Sequence, residues 1–188
     1  AILSFSKEIQ APRDLAGIPV GISDKTGSHY TTLQSLEGVL PRKDIVVEHL
    51  GIPENRYQAL KSGKSRAVAV MEPFISLGLK EGAHLVDVTF YRGAEVIAPG
   101  LATEQRNAYL NAINEASDRI MADFGKYKHY VTEQTKGALQ PHEMSDRFVR
   151  YTHYMVYDPK RFQQVYEWMR SWGLAAGDAD HAKVVATF

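Results

Sequence analysis

Through the first half of the chain, short apolar runs bounded by glycine or proline alternate with stretches whose apolar residues recur every three or four positions. Ile18-Pro19-Val20-Gly21-Ile22 follows a short helical turn, Ala11 to Gly17, and reads as a buried strand. The turn Ser23-Asp24-Lys25-Thr26-Gly27 opens a helix at Ser28, with Tyr30, Leu33, Leu36, Val39 and Leu40 on one face and Pro41 as its stop. Ile45 to Glu48 is the next strand, and Pro53 stands in the first turn of a helix that runs to Leu60 and ends at the Gly63 turn. Arg66 to Val70, Pro73 to Leu79 and His84 to Val88 continue the series as strand, helix and strand. Such alternation predicts an α/β fold, an open, mostly parallel sheet flanked by helices.

The second half changes character. Glu95-Val96-Ile97-Ala98 reads as a strand, and Thr103 as the cap of a long helix to about Phe124, with Tyr109, Ile113, Ala116 and Ile120 along one side. Further helices are expected over Gly125 to Thr135, His142 to about Tyr154, and Asp158-Pro159 to Trp172, where Gly173 ends the last. The expected division is therefore an extended piece over 1–10, an α/β lobe over 11–93, and a return strand with C-terminal helices of another lobe over 94–188. Ile2 to Phe5 and Val96 to Ala98 are what two strands crossing between lobes would look like.

Composition narrows the chemistry. Lys plus Arg and Asp plus Glu both number 22, so there is no broad cationic surface for a nucleic-acid backbone or an anionic membrane. With no cysteine, thiolate catalysis, iron–sulfur clusters and thiolate zinc sites are excluded. The seven histidines lack metal-site spacing, there is no G-x-S-x-G elbow, and no apolar run is long enough to span a membrane. No metal and no cofactor is expected.

Several motifs carry a family resemblance. Asp14-Leu15-Ala16-Gly17-Ile18-Pro19-Val20-Gly21, followed by Lys25-Thr26-Gly27-Ser28, resembles the D-L-x-G-x-x-V-G … G-S opening of the second lobe in type II periplasmic binding proteins, in the nitrate, sulfonate and thiamine-pyrimidine-precursor group. Ala59-Leu60-Lys61-Ser62-Gly63-Lys64 with Ala67 to Phe74 resembles that group's A-L-x-x-G-x-x-D-A-x-x-x-x-E-P-F segment, with Arg66 where the group has Asp. Asn111 to Ala116 is similar to its return helix, and Glu167 to Leu174 to its final helix ending in Gly-Leu. The resemblance implies that most of the first lobe is absent, either cleaved or supplied by a separate subunit, so that a cleft is only half encoded here.

The strand–turn–helix junction is the most informative local feature. An anion can sit at the start of a helix, where free N–H groups and a partial positive charge meet, with Lys25, Thr26, Gly27, Ser28 and His29 at hand. Ser28 serves equally well as the cap of its own helix, and His29 as a solvated first-turn residue. The Gly21 to Gly27 spacing is not that of a Walker A loop. Met71-Glu72 follows a strand at the carboxyl edge, where Glu72 either accepts a hydrogen bond from a ligand or complements the helix begun by Pro73. Tyr91-Arg92 precedes the second crossing piece, and Arg92 is either a bidentate clamp for a carboxylate or sulfonate or a surface arginine.

The resemblance implies a substrate-binding domain that closes with another lobe around a small, partly anionic organic molecule, a sulfonate, carboxylate or pyrimidine, as in ABC-type uptake. Its partners would be that ligand, the missing lobe or a partner subunit, and an ABC transporter permease. The alternative is an enzyme on the same scaffold, a desulfinase or pyrimidine-precursor synthase, whose reactive residues have no matching positions here; catalytic residues are thus unknown. Export would put the protein in the periplasm or at the cell surface, and the enzyme reading in the cytoplasm.

Overall fold

The computed structural model describes residues 1–98 and 100–185; Pro99 and the last three residues of the expected C-terminal segment lie outside the described residues. Five strands, β1 Ile2–Ser4, β2 Val20–Ile22, β3 Val47–His49, β4 Ala67–Ala69 and β5 His84–Asp87, form one sheet in the order β3-β2-β4-β1-β5. Strand β2 pairs in parallel with β3 and β4, and β1 runs antiparallel between β4 and β5. Four strands therefore share one direction and β1 opposes them, a mixed but mostly parallel sheet. The residues of β1, β2 and β4 are all buried, as strands covered on both faces must be, whereas β3 and β5 at the rims are only partly covered. Helices α1 Gly27–Glu37, α2 Pro53–Lys61 and α3 Phe74–Lys80 alternate with the parallel strands.

The chain divides into two units, residues 1–98 with 119–151, and residues 99–118 with 152–188. In the first, Leu3, Val68 and Val70 of the sheet region pack with Tyr57, Leu60, Phe74 and Leu77 of the helices, and Phe124, Leu139 and Met144 join the same core. Gly21 lies at a close approach: a Cβ there would stand 2.6 Å from Leu50 Cδ1 and 2.9 Å from Val68 Cγ1. The second unit holds most of α4 Thr103–Ala122, with α6 Pro159–Ser171 and α7 His181–Val184, while α5 Lys128–Thr132 belongs to the first. Asp158 accepts the Arg161 N–H at 2.8 Å and caps α6, as Asp180 caps α7. Phe162 stacks on Tyr166 and meets Tyr157 and His181 edge-on. No helix among the described residues is long and apolar enough to cross a membrane.

Three local expectations are corrected. Residues 95–98 form no strand, and Val96 is 96% exposed. The helix expected over His142 to Tyr154 is a single 3-10 turn at Pro141–Glu143 followed by irregular chain. Several of its backbone donors go to side chains: the Ser145 N–H to Ser76 Oγ at 2.9 Å, Arg147 to Ser145 Oγ and Tyr154 to Asn114 Oδ1. Along α4 the buried side chains are Leu110 and Ser117, one position round from the expected stripe, and Tyr109 is exposed.

Candidate functional site

Gly21 lies opposite both Glu48 and Val68, so the loops after β2, β3 and β4 leave the sheet at one edge. Residues after β5 emerge there too, because β4 and β5 both oppose β1. This carboxyl edge is where open α/β sheets hold ligands.

The turn after β2 is built from its own hydroxyls. The Ser23 N–H donates to Ser28 Oγ at 3.0 Å, the Thr26 hydroxyl donates to the Ser23 carbonyl at 2.8 Å, and the two hydroxyl oxygens lie 3.0 Å apart. Thr26 occupies the cap position without capping, so α1 begins at Gly27 with its first N–H groups left without intrahelical acceptors. Lys25 adopts φ 53°, a left-handed conformation that costs a non-glycine residue about 1 kcal/mol. Its N–H donates to Nδ1 of the buried His29 at 3.1 Å, and Asp24 Oδ1 stands 3.1 Å from the same nitrogen. The Asp24 N–H in turn donates to His49 Nδ1 at 2.8 Å. His29 is therefore a strut of the turn, whereas the Lys25 and Thr26 side chains face solvent.

Tyr91 closes on this turn. A Cβ on Gly27 would stand 2.6 Å from Tyr91 Cζ and 2.8 Å from its hydroxyl oxygen, so the ring rests where only glycine leaves room. The structure thus brings Tyr91 together with the Lys25 to His29 turn. Arg92 follows in exposed coil. Met71, at the end of the neighbouring strand, is 49% exposed. Glu72 turns elsewhere: its carboxylate accepts the Ser76 N–H at 3.0 Å and the Ser76 hydroxyl at 2.8 Å, at the start of α3. Burial raises the Glu72 pKa above the usual carboxylate value, against the lowering effect of the Ser76 bonds and of Lys128. Both bonds come from the first turn of α3.

Three residues at this edge escape sequence reading: Asp24, His49 and Arg56. Arg56 is buried, its Nε–H donating to the Ala69 carbonyl at 2.6 Å and Nη1–H to the Gly51 carbonyl. Pro53 marks the first turn of a helix, and no local spacing signals that Arg56 in it turns inward. No group of three His, Asp or Glu side chains fit to hold a metal ion occurs among the described residues.

No family model matches the chain, and no curated protein does. Solved structures do. The alkanesulfonate-binding protein SsuA from Xanthomonas axonopodis pv. citri, bound to MOPS, superposes with a TM-score of 0.71 at 16% identity, over 94% of this chain and 65% of that one. The chain has the type II periplasmic-binding-protein fold. The periplasmic aliphatic sulphonate binding protein SsuA from Escherichia coli gives 0.68 at 16% identity, over 98% of this chain and 67% of that one. The desulfurization enzyme DSZB shares the fold more distantly, at 0.51 and 14% identity, over 93% of this chain and 69% of that one. This chain spans about two thirds of the length of these neighbours.

Proposed function

We propose that this chain is the ligand-holding part of a substrate-binding protein for a small organic anion, whose sulfonate or carboxylate group sits at the amino end of α1. The observation that carries the reading is the Ser23 to Ser28 turn. It leaves the first N–H groups of an eleven-residue helix without intrahelical acceptors, beside the Thr26 and Ser28 hydroxyls and beneath the Tyr91 ring. The fold shared with two sulfonate-binding proteins supports it. In this reading Met71 and Tyr91 pack on the apolar part of the ligand, Arg92 pairs with the anion as the cleft closes, and Lys25 and Thr26 border its mouth. A facing lobe completes the cleft and an ABC transporter permease receives the ligand, outside the cytoplasmic membrane.

Titration calorimetry with hexanesulfonate, hexanoate and a pyrimidine phosphate tests it. A sulfonate or carboxylate should bind, and Ser28→Ala should weaken it about 10-fold, as expected for one hydrogen bond to a charged group worth roughly 1.5 kcal/mol. Arg92→Ala should act in the same direction. Unchanged affinity in both variants overturns the site, and conversion of the ligand to a product, followed by mass spectrometry, overturns binding as the sole role.

A further inference from the structure

Two consecutive backbone N–H groups of the turn end on imidazoles. The Asp24 N–H donates to Nδ1 of His49, which is exposed at the end of β3, at 2.8 Å. The Lys25 N–H donates to Nδ1 of His29, which is buried on α1, at 3.1 Å. A ring nitrogen accepts a hydrogen bond only while it carries no proton, so both bonds require neutral imidazoles protonated at Nε2. Both amides lie on the amino side of the Lys25 Cα, whose φ of 53° is left-handed. Such a conformation persists outside glycine where the surroundings over-determine it, and here the two rings do so from β3 and from α1.

His29 has a second partner for the same atom: Asp24 Oδ1 stands 3.1 Å from Nδ1. A protonated ring donates to that carboxylate and no longer accepts the Lys25 N–H, whereas a neutral ring does the reverse. Proton uptake therefore exchanges one bond for the other at His29, and at His49 it removes the bond from the Asp24 N–H outright. Histidine is the side chain that changes charge between about pH 5 and 8. Tyr30 on α1 stacks on His29 with ring centroids 5.9 Å apart, and Tyr91 reaches the turn from beyond β5. Arg56 on α2 is fastened to the Gly51 carbonyl beyond His49, and the Lys25 side chain is exposed. Glu48 precedes His49 in β3 and so projects from the opposite face of the strand. At the ends of β4 and β5, Glu72 is held by Ser76 and Asp87 Oδ1 by the Val88 N–H. Asp24 is thus the carboxylate bonded to His29, and the charge that ring gains on protonation is met within the turn rather than by a ligand.

We propose that His29 and His49 are positioning residues that make the anion site pH-dependent, an inference that rests on the anion-site reading above. Neutral, they hold the Ser23 to Ser28 turn in the shape that presents the start of α1; protonated, they release it. The ligand is held at about pH 7.5 and let go toward about pH 5.5. A purely structural role would leave affinity unchanged over that range, because a sulfonate stays ionised throughout.

Nitrogen NMR of the ligand-free protein and titration calorimetry with hexanesulfonate test this. At about pH 7.5 the spectra should show Nδ1 unprotonated in both His29 and His49, and a proton on either Nδ1 overturns the proposal. Wild-type affinity for hexanesulfonate should fall about 10-fold between about pH 7.5 and about pH 5.5. His49→Ala should weaken binding about 5-fold at the higher pH, as the loss of one neutral hydrogen bond does. Asparagine places an acceptor oxygen where histidine has Nδ1 and does not titrate, so His49→Asn should recover most of that loss. Combined with His29→Asn it should hold the pH effect to within about 2-fold. His49 is exposed, so His49→Asn decides the question if the pair does not fold, and by itself it should reduce the fall to about 3-fold. A wild-type profile that is flat or rises toward acid, or asparagine variants that keep the full fall, overturns the pH dependence and leaves the site. A wild type that binds no hexanesulfonate at either pH overturns the anion site itself, and the inference with it.

Discussion

Tyr57 is buried, and its phenol donates to Glu81 Oε2 at 2.7 Å while Lys61 Nζ lies 2.8 Å from the other oxygen. Tyr57→Phe leaves that carboxylate one donor short and should cost about 1–2 kcal/mol in urea denaturation. For Glu81 burial pushes the pKa up, but the Lys61 and Tyr57 bonds outweigh it and hold the group below the ordinary carboxylate value. A depressed folded-state pKa lends stability that is present above the unfolded value, about pH 4.3, and is lost as pH falls through the folded one. Glu81→Gln should therefore cost more at about pH 7 than at about pH 3; equal costs at both would refute the pairing. At the candidate site, Gly27→Ala pushes a methyl group into the Tyr91 ring and should weaken ligand binding about 10-fold with little change in stability, since Tyr91 is 56% exposed and can swing away. The turn from Lys25 to His29 was legible in the sequence because a Gly-Ser pair at a strand–helix junction is a local signal. Burial of Arg56 was not, because its acceptors Gly51 and Ala69 meet only when β3 and β4 flank β2.

Among the elements, β1 shows how a correct local reading leaves the position open. Ile2 to Phe5 reads as extended, yet nothing in four apolar or small residues says that they pair antiparallel between β4 and β5. The tertiary environment is demanding there: Leu3 is fully buried, and a Cβ on Gly78 would stand 2.6 Å from Leu3 Cδ1. Leu3→Ala should destabilise the fold by about 3 kcal/mol, read as a lower urea midpoint at unchanged slope. A cost below about 1 kcal/mol would mean that β1 is not part of the core. The helix missing after Pro141 fails because several of its backbone donors are taken by side chains that periodicity does not encode.

At the scale of the molecule, the two units differ in how they are held. The first buries a sheet and a shared apolar core, whereas among the described residues of the second only Leu110 and Ser117 are buried. Local opening free energy follows buried contact, so amides of β1, β2 and β4 should exchange with deuterium only by global unfolding and those of α6 far sooner. Equal protection in α6 and β4 would contradict this. The division is not visible as a composition shift, because charged and apolar residues are spread through both units.

What the amino-acid sequence determined by itself is local: the alternation of strands and helices, the polar turn ending in Gly27-Ser28, and the caps and stops at Pro53, Asp158 and Gly173. Each follows from backbone preferences and periodicity within a few residues. Only the tertiary structure decided the antiparallel place of β1, the seat of Tyr91 on Gly27, the turning of Glu72 toward Ser76 and the burial of Arg56. These depend on which distant backbone groups and side chains meet, and hydrogen-bond satisfaction and close packing across the sheet select those meetings once the chain has folded.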